Sequence, residues 1–382
     1  MTNHDYAARS IEALKKDGGQ WTMHGLLPLE TIEDLSIAYT PGVGAPCLAI
    51  SADPLAAYDL TMKGRTIAVV SDGSAVLGLG NIGPLAGLPV MEGKSVMYKK
   101  FANIDAVPIV LASQDPEQII EAVRMIAPTF GGIHLEDIAA PACFEIERRL
   151  TEMLDIPVMH DDQHATAIVA TAGLMNAAKV VGKEISTLNV VILGAGAAGI
   201  ATARLLLDLG VADVTLVDSK GIVNAARTDI NGEKALMVPL TNKRMLEGNL
   251  ASAMRGADVF LGVSKANLVT QDMVRSMATS PIIIAMANPV PEILPDEAKT
   301  AGAAVVATGR SDYPNQINNV LVYPGLFRGL LNRRASKLTS AMKIAAATAL
   351  ANLVPNPTAD YIIPKIVEIN PSEAIAKAIE SV

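Results

Sequence analysis

The chain has 382 residues, half of them apolar and 3% aromatic, with a formal net charge of −8. That length suits two domains, and the acidic balance leaves no basic footprint for nucleic acid. The apolar run at 165–178 is interrupted by Thr and Asn and falls short of the roughly 20 residues that span a bilayer. Only Cys47 and Cys143 are present. That excludes a disulfide framework or a cysteine-rich metal site and fits a reducing cytosol. The N-terminus lacks the apolar core of a signal peptide, so a cytoplasmic protein is expected.

Residues 8–16 read as a short helix ending near Asp17-Gly18-Gly19. Residues 34–46 (DLSIAYTPGVGAP) read as a strand-to-loop transition that fixes Tyr39 at a turn. Residues 66–70 read as a strand, and 76–79 continue the apolar pattern. The loop 78–83 (GLGNIG) has the spacing of a dinucleotide fingerprint. However, Pro84, Gly87 and Pro89 oppose the helix that such a fingerprint needs. The loop is read instead as bringing backbone N–H groups to a substrate carboxylate. Lys94 follows Gly93 in a turn, with Lys99 and Lys100 close behind and a strand at 107–111. A lysine in a partly dry pocket has its pKa lowered toward about 7–8, so one of these three is the candidate base.

The chemistry is expected in residues 131–166. Glu136 and Asp137 follow one apolar ramp. His160, Asp161 and Asp162 follow another, and 144–154 between them form an amphipathic helix. Each acidic group thus sits just past an apolar run, where open α/β sheets bind ligands. Three carboxylates converging there make a hard-oxygen site for Mg²⁺ or Mn²⁺. A zinc site from His160 and His164 fits these neighbours less well, and His134 adds little to it. The histidines are read as packing or supporting groups, and Cys143 as a small buried apolar residue.

Residues 165–180 read as an apolar helix. A strand at 188–193 then runs into Gly194-Ala195-Gly196-Ala197-Ala198-Gly199, with a helix at 200–209 and a strand at 214–217 ending in Asp218. Here the whole context of a dinucleotide site is present, with the helix N-terminus for the pyrophosphate and Asp218 for the ribose hydroxyls. Asp218 favours NAD by repelling a 2′-phosphate, while Lys220 and Arg227 offset it, so NADP stays open. Strands at 259–262, 282–285 and 304–307 follow, placing Asn288, Asn318 and Asn319 at the ligand-bearing edge. Helices at 335–353 and 372–379 look structural. The fold class is α/β: an N-terminal catalytic α/β domain (1–160) and a C-terminal Rossmann-type dinucleotide-binding domain (161–382).

The segments SIAYTPGVG, LGLGNIGP, GLPVMEGK, GGIHLEDIAAP, MHDDQHAT, GAGAAG, ANPVPE and GRSDYPNQINNVLVYPG, taken together and in this order, resemble the malic enzymes, in particular the short bacterial form. The resemblance runs from about residue 35 to 330 and implies oxidative decarboxylation of L-malate to pyruvate and CO₂, with NAD or NADP and Mg²⁺ or Mn²⁺. It implies metal ligands at Glu136, Asp137 and Asp162, catalytic Lys94 and Tyr39, and Asp161 supporting them. It places Asn288 and Asn318 on the substrate, and residues 194–199, Asp218, Asn288 and Asn319 on the dinucleotide. A homodimer or higher homo-oligomer is implied too. Two points depart from the pattern. Larger members carry a carboxylate-gripping Arg where this chain has Ala75, and some short relatives continue into a phosphotransacetylase-like domain for which 382 residues leave no room. Two rival readings remain: a metal-independent amino-acid dehydrogenase of the glutamate type, and a non-enzymatic dinucleotide sensor. Neither gives the acidic groups a task.

Overall fold

The computed structural model of the protein describes residues 3–382 other than Leu77 and Asn231, with side chains from Tyr6 onward. Leu77 falls within the apolar run expected at 76–79, so that reading lies partly outside the described residues. Strands β1 (Thr66–Ser71), β2 (Asp105–Val110), β3 (Gly132–Leu135) and β4 (Val158–His160) form a four-stranded parallel sheet in the order β2-β1-β3-β4. Strands β5 (Asn189–Leu193), β6 (Asp213–Asp218), β7 (Gly221–Ile222), β8 (Val259–Gly262), β9 (Ile282–Ala285) and β10 (Val305–Thr308) form a six-stranded sheet in the order β10-β9-β8-β5-β6-β7. Its pairs are parallel except β6 with the short β7. Strand order reverses at β1 in the first sheet and at β5 in the second, and such switch points open crevices at the carboxyl ends of strands.

Strand residues alternate faces, and both faces of each sheet are buried. In β1, Ala68 and Val70 pack with Ile119, Val123, Ile146 and Leu150, while Ile67 and Val69 face Met91, Tyr98 and Phe327. In the second sheet, Val190 and Ile192 share a core with helix Asp161–Val181, while Val191 and Leu193 pack with Met254, Phe260 and Ile283. Burial on both faces explains why these strands read as continuous apolar runs.

Three elements differ from the sequence expectation. Helix Pro84–Ala102 forms despite its prolines and carries Lys94 mid-helix, not in a turn. Pro84 opens the helix, where backbone N–H groups have no partner to lose. Pro89 removes one hydrogen bond, and burial of Met91, Ser95, Tyr98 and Ala102 along one face offsets it. Second, the segment before Tyr39 is the helix Ile32–Ala38, held by a capping box between Thr31 and Asp34, and Tyr39 is its C-cap. Third, helix Tyr323–Asn332 was not anticipated. It returns to the first sheet, where the Phe327 ring lies 5.8 Å from that of Tyr98.

Residues 6–65 contribute no buried residue, although Leu26, Ile32, Ile37, Leu48 and Leu55 are all among them and exposed. No helix among the described residues is long and apolar enough to cross a membrane.

Candidate active site

The acidic groups meet because their strands are neighbours. β3 and β4 pair with Leu135 opposite His160, so Glu136 and Asp161 leave the sheet at one edge. Asp137 takes φ +54°, a left-handed conformation that Asp tolerates better than most residues. Asp161 and Asp162 form the first turn of helix Asp161–Val181, where the helix dipole favours carboxylates. One oxygen each of Glu136, Asp137 and Asp162 lies within 4.8 Å of the others. Asp162 Oδ2 also accepts the Asp137 amide at 3.3 Å. Three acids offering only oxygen fit a hard cation, Mg²⁺ or Mn²⁺.

Beside this group, Lys94 Nζ lies 2.7 Å from Asp161 Oδ2 and 3.0 Å from Glu136 Oε1. It also lies 4.5 Å from the centre of the Tyr323 ring. Burial pulls the ammonium down, but Asp161 and Glu136 together pull harder and hold it well above the ordinary lysine range. This corrects the expectation of a lowered pKa, because two adjacent carboxylates outweigh desolvation. Of the other two candidates, Lys99 is exposed and pairs with Asp105 at 2.8 Å, and Lys100 is exposed as well. Asn319 Nδ2 donates to Asp161 Oδ2 at 2.8 Å, and Thr166 Oγ1 donates to Asn319 Oδ1 at 3.1 Å. Asn319, expected at the dinucleotide, is therefore engaged with the partner of Lys94.

Two residues support the cluster: His134, which the sequence reading takes as a packing or supporting group, and Glu147, which that reading misses. His134 is buried, with Nδ1 2.7 Å from the Tyr98 hydroxyl and Nε2 2.5 Å from Glu136 Oε2. Burial holds its pKa down at about 4. A neutral ring that accepts from Tyr98 at Nδ1 has one proton to give, and it goes to Glu136. The signal was the His134-x-Glu136 spacing, which puts both on one side of an extended segment. Glu147, on helix Ala142–Met153, accepts from the His160 amide at 2.7 Å and from Gln163 Nε2 and His164 Nε2 at 3.0 Å. Burial pushes Glu147 up, but His164 and these donors win and bring it to about 2. His164 thus serves a carboxylate, and the His160 ring lies 3.5 Å from Asp162 Oδ2.

Tyr39 is 67% exposed, and no hydrogen bond of its hydroxyl is seen among the described residues. Asn288 and Asn318 are exposed in the loops after β9 and β10. Asn318 Oδ1 accepts the Val320 amide at 3.0 Å. In the loop 78–83, the Leu79 amide donates to Val76 O, and those of Ile82 and Gly83 donate to Gly73 O. These three N–H groups are spent on turns in and beside the loop, and so are not the ones that would face a substrate carboxylate. Ala75, which stands at the noted departure from the larger malic enzymes, donates its amide to Asp137 O at 2.9 Å.

In the second sheet, β5 runs directly into Gly194, and helix Ala197–Asp208 opens inside the 194–199 loop. A Cβ at Gly199 would come within 1.7 Å of Gly194 O, so helix and strand can approach this closely only with glycine there. The N–H groups of the helix start could then receive a phosphate. Asp218 ends β6 already paired, to Arg227 at 2.8 and 3.1 Å and to Lys234 at 2.6 Å. Burial opposes its charge, but these donors hold it at about 2.

Residues 21–151 match the malic enzyme N-terminal domain, and residues 164–382 match the malic enzyme NAD binding domain. The chain belongs to the malic enzyme family. It is 52% identical over 368 residues to the bifunctional malic/malolactic enzyme of Bacillus subtilis, covering 96% of this chain and 90% of that one. It is 51% identical to the NAD-dependent malic enzyme of Geobacillus stearothermophilus, covering 95% of this chain and 76% of that one. It is also 51% identical to the NADP-dependent malic enzyme of Escherichia coli, covering 85% of this chain and 43% of that one. A crystal structure of NAD-dependent malic enzyme from Thermotoga maritima superposes with a TM-score of 0.94 at 44% identity, covering 97% of this chain and 98% of that one. Malic enzyme relatives of equal identity thus carry both coenzyme names.

Proposed function

We propose that the protein oxidatively decarboxylates L-malate to pyruvate and CO₂, reducing NAD(P)⁺ with a divalent cation present. The observation that carries this reading is that Lys94 shares Glu136 with a three-carboxylate cluster, in a chain whose later half builds a dinucleotide loop. Glu136, Asp137 and Asp162 would hold Mg²⁺ or Mn²⁺, which supplies Lewis-acid stabilisation of the oxyanion that develops as CO₂ leaves. Lys94, once it has given up its own proton, would take the C2 hydroxyl proton as hydride passes from C2 to the nicotinamide. Asp161 and Asn319 hold the Lys94 side chain in place, and His134 fixes one Glu136 oxygen. Asn288 and Asn318 border the substrate, and Tyr39 returns a proton to C3.

The exposed apolar face of residues 6–65 supports a homodimer or higher oligomer in which a second copy covers that face and Tyr39 reaches the neighbouring cluster. For the coenzyme, Lys220, Arg227 and Lys234 outnumber Asp218 and Asp229 at the end of β6. That cancels the repulsion of a 2′-phosphate, so both NAD⁺ and NADP⁺ are admitted. The two units divide at 160/161, with helix Tyr323–Asn332 lent back to the first. Two free cysteines fit a cytoplasmic location.

The test is NADH and NADPH formation from malate and Mn²⁺, with and without EDTA. The chelator should abolish it and Mn²⁺ restore it. Turnover indifferent to EDTA would favour the glutamate-type dehydrogenase, and NAD(P)H binding without turnover would favour a sensor.

A further inference from the structure

Glu292 belongs to no group described so far, yet it is fully buried at the carboxyl edge of the dinucleotide sheet. Its Oε1 accepts the Ser264 amide at 2.8 Å, just past β8. Its Oε2 accepts the Ala287 amide at 3.1 Å, just past β9. A trans peptide points its N–H and C=O in opposite directions, so each contact also aims a carbonyl. The carbonyl across from the Ser264 amide is Val263 O, and a Cβ on Gly194 would come within 2.6 Å of it. The carbonyl across from the Ala287 amide is Met286 O, and a Cβ on Gly309 would come within 3.1 Å of it. One residue further on, Asn288 O lies where a Cβ on Gly78 would meet it at 2.6 Å. One carboxylate therefore orients two peptide planes, one abutting Gly194, the first glycine of the dinucleotide loop, and the other abutting Gly309 in the loop after β10. The sequence makes room for it: a Cβ on Gly262 would fall 2.3 Å from the Glu292 carboxyl carbon.

We propose that Glu292 is a positioning residue that sets the β8 and β9 loop backbones, and so the seating of the nicotinamide dinucleotide against Lys94 and the carboxylate cluster. The inference rests on the dinucleotide reading above. A carboxylate is needed because both oxygens accept. The isosteric amide accepts at one oxygen and turns an N–H₂ toward the other backbone N–H.

The test is Glu292→Gln in the full-length protein, read by NADPH fluorescence titration, Mn²⁺ binding and oxaloacetate decarboxylation. Leaving one buried amide unaccepted should weaken NADPH binding by about tenfold and lower kcat for malate oxidation, while Mn²⁺ affinity and oxaloacetate decarboxylation stay within about twofold of wild type. Gly262→Ala, which keeps Glu292 but displaces its carboxylate, should reproduce this pattern and decides the matter if the Gln variant does not fold. The proposal is overturned if NADPH binding is unchanged in the folded variants, or if metal binding and decarboxylation fall in step with oxidation. Wild-type protein that binds no NADPH or NADH would sink the dinucleotide reading itself.

Discussion

The Lys94 ammonium lies 2.7 Å from Asp161 Oδ2, and those two side chains come from different layers of the molecule, the helix Pro84–Ala102 and the start of helix Asp161–Val181. The contact fixes Lys94 at the carboxylate cluster. Lys94→Ala should lower kcat on malate by about 10²–10⁴, the usual size for loss of acid–base chemistry. Steady-state rates at saturating Mn²⁺ check this, and a kcat within threefold of wild type discards Lys94.

Asp162 offers a cluster oxygen and also accepts the Asp137 amide. Asp162→Asn should raise the Mn²⁺ concentration for half-maximal activity by about 10–100-fold, the range found even for groups that only support metal ligands. An unchanged metal titration removes Asp162 from the set.

Tyr39 stands exposed among the exposed apolar side chains of residues 6–65. Tyr39→Phe should slow pyruvate tritium exchange by about 10²-fold or more and hydride transfer less. If a neighbouring copy receives it, mixing inactive Tyr39→Phe and Lys94→Ala proteins under exchanging conditions should recover part of the activity. Mixed oligomers with no recovery would place Tyr39 in its own subunit.

The Glu147 contacts set a pH dependence. The pKa of Glu147 is depressed to about 2, so the stability it contributes is fully present above its ordinary value of 4.5 and is lost as pH falls through about 2. Glu147→Gln should cost about 2 kcal/mol at pH 7, as expected for charge-assisted hydrogen bonds. The Tm gap between wild type and variant should narrow between pH 4.5 and 3. A gap constant over that range would show that the charge carries no stability.

Lys234 and Arg227 both bind Asp218. Lys234→Ala should lower kcat/KM for NADP⁺ by about tenfold, as expected for one charged hydrogen bond, and change that for NAD⁺ much less. Equal losses with both coenzymes would mean that Lys234 only props the loop.

The sequence made the second sheet legible because each of its parallel strands is an apolar run leading to a glycine or polar turn, and the 194–199 loop comes with its strand and helix attached; the two-residue β7 was too short to read. The acidic site was legible for the same reason: an apolar run points to a strand end, and ligands gather there. The helix bearing Lys94 was misread because Pro84 and Pro89 weigh heavily in a local reading, while the burial of Met91 and Tyr98 that offsets them is a tertiary fact. The raised pKa of Lys94 depends on Glu136 and Asp161 arriving from segments far along the chain. His134 was legible only as a packing or supporting histidine, and Glu147 only as one charge on an amphipathic helix, until the fold placed a carboxylate beside the first and an amide and two side-chain donors beside the second.

The central claim is that acids from the ends of β3 and β4 share one divalent ion beside Lys94. Anomalous diffraction from manganese-soaked crystals tests it directly. The account predicts a single strong peak bounded by oxygens of Glu136, Asp137 and Asp162. A peak elsewhere, with these three carboxylates uncoordinated, would contradict it.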